Sequence, residues 1–261
     1  MATDLQPRLE PGMVACDLRS QEQVAQLFHA QPIAAVVHLA GILPSAFLAD
    51  PLRGIHVNVT ASCRLLRLAI QQRVQRFVFA SSMSVYGLAA RPQPVREEDP
   101  IAPDDPYAAG KCAVEAAGDA LRTKGELDFV ALRIARVVGP GAQNTSSPWR
   151  SQMFEPVHGG EPISIPFAPE TLLSLVHVRE VARMMGALVE AGKLQHAVYN
   201  APAETWKAKR LQAEVERITA ARVVLGGNAN AGPECDGRRF AREFGFQLRG
   251  LAEYLAAART A

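Results

Sequence analysis

Three nearly unbroken apolar runs, separated by segments of helical period, constrain the fold of this chain more than any other feature. Ile33 to Leu39 (IAAVVHL) ends on Ala40 and Gly41, Arg76 to Ala80 (RFVFA) runs into Ser81, Ser82, Met83 and Ser84, and Asp128 to Arg133 (DFVALR) repeats the style. Continuous rather than alternating apolar runs predict strands covered on both faces, as in a helix-flanked parallel sheet. Between these runs, Asn58 to Ala69 and about Tyr107 to Thr123 carry helical spacing. Ahead of them, Met13 to Cys16 predicts a short strand, and Ser20 to His29 a helix with Ser20 as its N-cap. The repeated strand and helix predict an α/β protein with a doubly wound parallel sheet.

Beyond Gly139 the texture changes, because Pro140 to Pro169 is rich in Gly, Pro, Ser and Asn with only short apolar pieces. Leu172 to Val189 predicts a strand and helix returning to the main domain, Ala197 to Asn200 another strand, and Lys207 to Ala220 a helix of a smaller lobe. The expected division is therefore 1–140, completed by about 172–200, against 141–171 and 201–261.

With 261 residues, 48% of them hydrophobic, the chain is long enough for one large unit or a main domain with a lobe. Twenty-eight Lys and Arg against 26 Asp and Glu, with no long run of one sign, leave no footprint for nucleic acid and favour a small-molecule partner. Cys16, Cys63, Cys112 and Cys235 form neither a C-x-x-C pair nor a metal cluster, so reduced thiols in a cytoplasmic protein are expected, with no zinc. The first twenty residues hold Asp4, Glu10, Asp17, Pro7 and Pro11 and no apolar run, which predicts neither a signal peptide nor a membrane span there.

The clearest chemical pattern is Tyr107 with Lys111, because a spacing of four on a helix stacks both side chains on one face. A phenol with an ordinary pKa of about 10 is a poor base at neutral pH, and a neighbouring ammonium favours its ionised form. Y-x-x-x-K alone equally describes a solvent-facing helix pair. The serine-rich turn Ser81-Ser82-Met83-Ser84-Val85-Tyr86-Gly87, which follows a strand, supplies hydroxyls that either form the turn or meet a substrate.

These segments, in this order, resemble the extended short-chain dehydrogenase/reductase superfamily, of the NAD-dependent epimerase/dehydratase type, over roughly residues 12 to 250. The resemblance implies a Rossmann-like fold and a catalytic trio of Ser82, Tyr107 and Lys111, with Ser82 four residues ahead of the turn's own Tyr86. It also implies NAD or NADP as cofactor, held by Asp17 and Leu18 at the adenine, and by the turn His38-Leu39-Ala40-Gly41. Asn58, in Asn58-Val59-Thr60 at a helix start, Ala80, Tyr107, Lys111 and Ile134 complete the expected cofactor contacts. Leu132-Arg133 through Gly141 resembles the strand and turn leading to the substrate lobe, and Leu175-Val176-His177-Val178 the later return strand. A homodimer through the helices that hold Asn58 and Tyr107 is expected from the resemblance alone. Read without it, His38 is a core histidine, Asn58 a helix cap and Asp17 a turn residue.

A dinucleotide fold normally opens with a strand, a glycine-rich turn and a helix whose N-terminus holds the pyrophosphate. No G-x-x-G-x-x-G precedes Asp17, and Gly12, Gly41 and Gly54 cannot compose one. The expectation is a chain that starts near the family's third strand, with exposed strand edges and apolar faces. A shortened frame, a partner chain filling the gap and a cofactor-free relative all fit that expectation.

The family's nucleotide-sugar members have an Arg four residues before the His of the return strand, and here that place is Leu173. Arg136, where many of them have Asn, presents a planar guanidinium suited to a carboxylate, or else makes a structural ion pair. With Ser84 it is a candidate substrate contact. Ser147 to Thr171, with its E-P-V-H-G-G-E-P and A-P-E-T pieces, resembles sugar-acid dehydrogenases acting on four-carbon aldonates. The expected chemistry is hydride transfer at a secondary alcohol of a sugar or sugar acid, as dehydrogenase or epimerase. A nucleotide-sugar epimerase/dehydratase and a non-catalytic relative are the alternatives.

Overall fold

A computed structural model describes residues 1–5, 12–89, 91–141, 146–155, 161–227 and 229–259. Parts of the glycine-, proline- and serine-rich stretch read above, 142–145 and 156–160, lie outside the described residues. The order of elements is β1 (Ala2–Asp4), β2 (Met13–Ala15), α1 (Gln21–Ala30), β3 (Ala35–His38), α2 (Pro44–Ala49) and α3 (Pro51–Ile55). A π-helical turn, His56–Ala61, leads into α4 (Ser62–Gln71), then β4 (Arg76–Ser82), a 3-10 turn (Met83–Tyr86), α5 (Pro106–Thr123) and β5 (Asp128–Ile134). There follow β6 (Arg136–Val138), α6 (Trp149–Gln152), β7 (Ile163–Ile165), β8 (Leu172–His177), α7 (Val178–Glu190) and β9 (Val198–Asn200). The chain continues with β10 (Glu204–Lys207), α8 (Ala208–Thr219), β11 (Val223–Leu225), α9 (Arg238–Phe244) and α10 (Leu251–Ala257).

Two compact units share these elements, one made of 1–81, 103–131 and 191–197, the other of 82–102, 132–190 and 198–261. In the first, β3 and β4 are parallel, with Ala35 opposite Arg76 and His38 opposite Phe79. The first half of β5 neighbours β4. Both β4 and β5 are buried along their middles, as their apolar runs predict. Phe129 stacks on Phe77 and meets Phe79, with both pairs of ring centroids 6.2 Å apart, and α5 reaches this aromatic layer through Gly118. Arg76 and Arg122 converge on Asp128 and tie the start of β5 to β4 and α5.

β3 corrects the sequence-based expectation. Of its four residues only His38 is buried, and Val37 is 40% exposed. The reason lies in the sheet order, where β3 is an end strand paired only to β4, while β1 and β2 form a separate two-stranded parallel sheet. An apolar run predicts a buried strand only when neighbours cover it on both faces.

In the second unit, the rest of β5 meets the chain just past β9, where Ala201 N donates to Arg133 O at 2.9 Å. A three-stranded sheet has the order β10-β8-β6, with β8 parallel to β6 and antiparallel to β10. β7 and β11 pair in parallel. Trp149, Met153, Phe154, Phe167, Leu175, Leu211, Val215 and Leu255 belong to the apolar core beneath them.

Candidate active site

Helix α5 is started by local chemistry. The Asp105 carboxylate accepts the Ala108 N–H at 2.7 Å as an N-cap, and Pro106 occupies the first turn, where its missing N–H costs nothing. Tyr107 and Lys111 therefore fall on successive turns of one face, with the Lys111 ammonium 5.6 Å from the centre of the Tyr107 ring. The Lys111 Nζ donates to Ala80 O on β4 at 2.7 Å and lies 4.7 Å from the centre of the Phe79 ring. Lys111 is buried, and desolvation pulls its pKa down to about 8, with Glu115 working in the opposite direction.

Glu115, one turn further along α5, is a buried carboxylate that accepts the Ser81 hydroxyl. The sequence reading passed over it, although Tyr107, Lys111 and Glu115 recur at intervals of four and mark one inward face. Edge-on contact with Phe47, ring centroids 6.2 Å apart, backs the Tyr107 ring from α2.

The turn after β3 is held by Asn58, whose side-chain oxygen accepts Ile42 N at 2.7 Å while its amide donates to Ile42 O at 2.8 Å. Asn58 does not cap or start a helix. It lies inside the π-helical turn that joins α3 to α4, a widened turn that frequently accompanies functional positions. A Cβ on Gly41 would come within 3.2 Å of the Asn58 oxygen, so the backbone passes close here and favours a small residue. Leu39, Ala40 and Gly41 form an exposed ledge, with Leu39 at 60%.

His38 is a core histidine. Its Nε2 lies 2.8 Å from the Ser62 hydroxyl, which in turn donates to Asn58 O, and burial together with the Lys111 charge lowers its pKa to about 3. Asp17 acts as a turn residue, accepting Arg19 N at 2.9 Å and pairing with the Arg19 guanidinium at 2.6 Å, which holds its carboxyl below the usual range. Leu18 follows it, half-buried.

The second unit holds Ser82, Ser84, Ile134 and Arg136. Ser82 ends β4 and caps the 3-10 turn, its Oγ accepting Ser84 N at 3.2 Å and the Ser84 hydroxyl at 3.0 Å. The same turn is anchored by Tyr86, whose hydroxyl donates to the Asn200 side chain at 2.9 Å and accepts from Arg133 at 2.7 Å. Burial pushes the Tyr86 phenol up to about 12, so it stays protonated. Asn200 also donates its side-chain amide to Val95 O and its backbone N–H to the Glu97 carboxylate. Neither Arg133 nor Asn200 stood out in the sequence, because a polar residue within an apolar run gives no sign of its partners.

Among the described residues Arg136 makes no ion pair. Its guanidinium lies 5.0 Å from the centre of the Phe167 ring.

The buried ammonium on the tyrosine face of α5 and the exposed ledge over the Asn58 clamp are the groups of this unit that could hold a cofactor. Lys111 has three N–H donors, and Ala80 O takes one of them.

A family model described as the NAD dependent epimerase/dehydratase family matches residues 2–201. UDP-glucose 4-epimerase of Lacticaseibacillus casei is 32% identical over 125 residues, which is 47% of this chain and 37% of that protein. D-erythronate dehydrogenase of Haemophilus influenzae is 29% identical over 133 residues, 49% of this chain and 42% of that protein. The matched stretches thus span well under half of these relatives' lengths. The solved structure of MoeE5 in complex with UDP-glucuronic acid and NAD superimposes with a TM-score of 0.83 at 28% identity, covering 100% of this chain and 91% of the other.

Proposed function

From the premise that this chain belongs to the NAD dependent epimerase/dehydratase family, we propose that it is an NAD- or NADP-dependent oxidoreductase or epimerase acting at a secondary alcohol of a sugar or sugar acid. The observation that carries this reading is the buried Lys111 ammonium, fixed on Ala80 O beside the Tyr107 ring. Tyr107 takes the proton from the substrate hydroxyl, Ser82 holds the reacting oxygen, and Lys111 stabilises the phenolate and reaches the ribose with its remaining donors. Bound NAD or NADP supplies the hydride acceptor. Asp17 and Leu18 would hold the adenine, and Leu39, Ala40, Gly41, Asn58, Ala80 and Ile134 the rest of the cofactor. Ser84 and Arg136 would meet the substrate.

In this reading 1–140 with 172–200 is the dinucleotide-binding domain and 141–171 with 201–261 the substrate lobe. A homodimer and a cytoplasmic setting belong to the same reading. Among the described residues no helix is long and apolar enough to cross a membrane. The reading as a nucleotide-sugar epimerase is favoured by the UDP-sugar names of the epimerase relative and of the solved complex. Leu173, in place of an Arg, speaks against it.

Calorimetric titration of the chain with NAD and NADP, followed by turnover of aldonates and of UDP-sugars, tests the proposal. Saturable cofactor binding is expected, with Tyr107→Phe retaining it and losing turnover by about 10²-fold or more. A folded chain that binds neither cofactor ends the catalytic reading.

A further inference from the structure

Among the described residues of the second unit, several buried side-chain N–H groups lack a hydrogen-bond partner. Arg136, on β6, has its Nε buried without a hydrogen-bond partner, and so has the indole Nε1 of Trp149, a residue only 1% exposed. Both groups gather on Phe167, whose ring has the Arg136 guanidinium 5.0 Å from its centre and the Trp149 ring edge-on at 6.2 Å. Arg150, on α6, has its guanidinium 5.9 Å from the centre of the Trp149 ring.

Charge sharpens the imbalance. Burial lowers the Arg136 pKa to about 10, and the next influence on it is a second cation, Arg150, rather than a carboxylate. The guanidinium is still charged at neutral pH. A buried cation ordinarily has a paired anion, since desolvation without pairing is among the costlier things a fold can do. Among the other arginines of low exposure, Arg76 pairs with Asp128, Arg133 bonds the neutral Tyr86 hydroxyl, and Arg91, whose Nε is likewise buried without a partner, bonds backbone carbonyls. Among the described residues half-buried Arg136 has neither a paired carboxylate nor a bonded Nε. Groups left unsatisfied in this way are expected where a ligand completes them.

We propose that Arg136, in the field of Arg150, is the seat of a carboxylate carried by a small acidic substrate, bound through the guanidinium fork. The fork matches a planar carboxylate in two parallel hydrogen bonds, and the Phe167 face fixes its plane. Pyrophosphate has related chemistry, so the source of the anion is resolved by experiment. Only the identification of the carboxylate as the substrate's own rests on the oxidoreductase reading.

Binding is measured without turnover, by calorimetry and thermal melting of the full chain with a four-carbon aldonate, with the neutral tetritol of the same length and with inorganic pyrophosphate. The proteins are the unaltered chain, Arg136→Met and Arg136→Lys. The aldonate is expected to bind, to bind about tenfold or more weakly to Arg136→Met, and to fall between for Arg136→Lys. The tetritol is expected to ignore position 136. Without ligand, Arg136→Met is expected to melt above the unaltered chain, because it removes a half-buried cation whose Nε has no partner.

Equal aldonate affinity in Arg136→Met, no preference for aldonate over tetritol, an Arg136-dependent response to pyrophosphate alone, or a lowered melting point would each overturn the proposal. Should Arg136→Met fail to fold, Arg136→Lys carries the affinity comparison. Aldonate bound through Arg136 with no reduction of nicotinamide leaves the seat standing and removes the oxidoreductase reading. Turnover of a neutral alcohol with no aldonate binding does the reverse.

Discussion

His38 and Lys111 are two ionisable side chains buried within the same unit, and burial disfavours the charged form of both. For His38 the consequence is a dependence of stability on pH. Its folded pKa of about 3 lies below the ordinary 6.5, so between those values the unfolded chain binds the extra proton. Its contribution is complete above pH 6.5 and is lost as pH falls towards 3. Urea unfolding is expected to show about 2 kcal/mol less stability at about pH 5 than at about pH 6.5 from this group. A His38→Asn chain should lack that increment, and an unchanged slope would show that His38 is not its source. The histidine was legible as a core residue from its place in an apolar run. Its Ser62 partner was not, because 24 residues of chain separate the two.

Secondary elements were legible where their ends carry chemistry. The Asp105-Pro106 start of α5 and the Ser20 cap of α1, which accepts Gln23 N at 3.3 Å, put both helices within a residue of their predicted starts. The segment from Asn58 onward was legible as helix but not as a π turn, because hydrophobic period does not distinguish a single widened turn from the α-helix around it. Strands β6, β7, β10 and β11, three or four residues each, are too short for any period to register. Gly118 shows how packing overrides propensity. Replacing a mid-helix glycine by alanine ordinarily gains up to about 1 kcal/mol. At this position, however, the new Cβ would overlap the buried Phe129 ring. Overpacking costs of about 1–3 kcal/mol outweigh the gain, so Gly118→Ala should lower the melting temperature, and a rise would refute the close approach.

At the scale of the whole molecule, β3 presents a strand edge together with exposed apolar side chains. Val37 and Leu39 stand exposed on and just beyond a strand that ends its sheet. Natural edges are usually blunted by charge or proline, and this one has neither on its outer positions. Light scattering should therefore rise with protein concentration, and Val37→Lys should suppress it; scattering unaffected by the substitution would exonerate the edge. Each of the two units is assembled from segments far apart in the sequence. The Tyr86 anchor has its own consequence for how the protein is made. Tyr86, Val95, Glu97, Arg133, Asn200 and Asp236 meet in one hydrogen-bonded knot. A ribosome must deliver the chain past Asp236 before that knot can close. Until then Ser82 and Ser84 sit on a turn with incomplete support, and the emerging chain is exposed to misfolding from the synthesis of Tyr86 until Asp236 has been delivered.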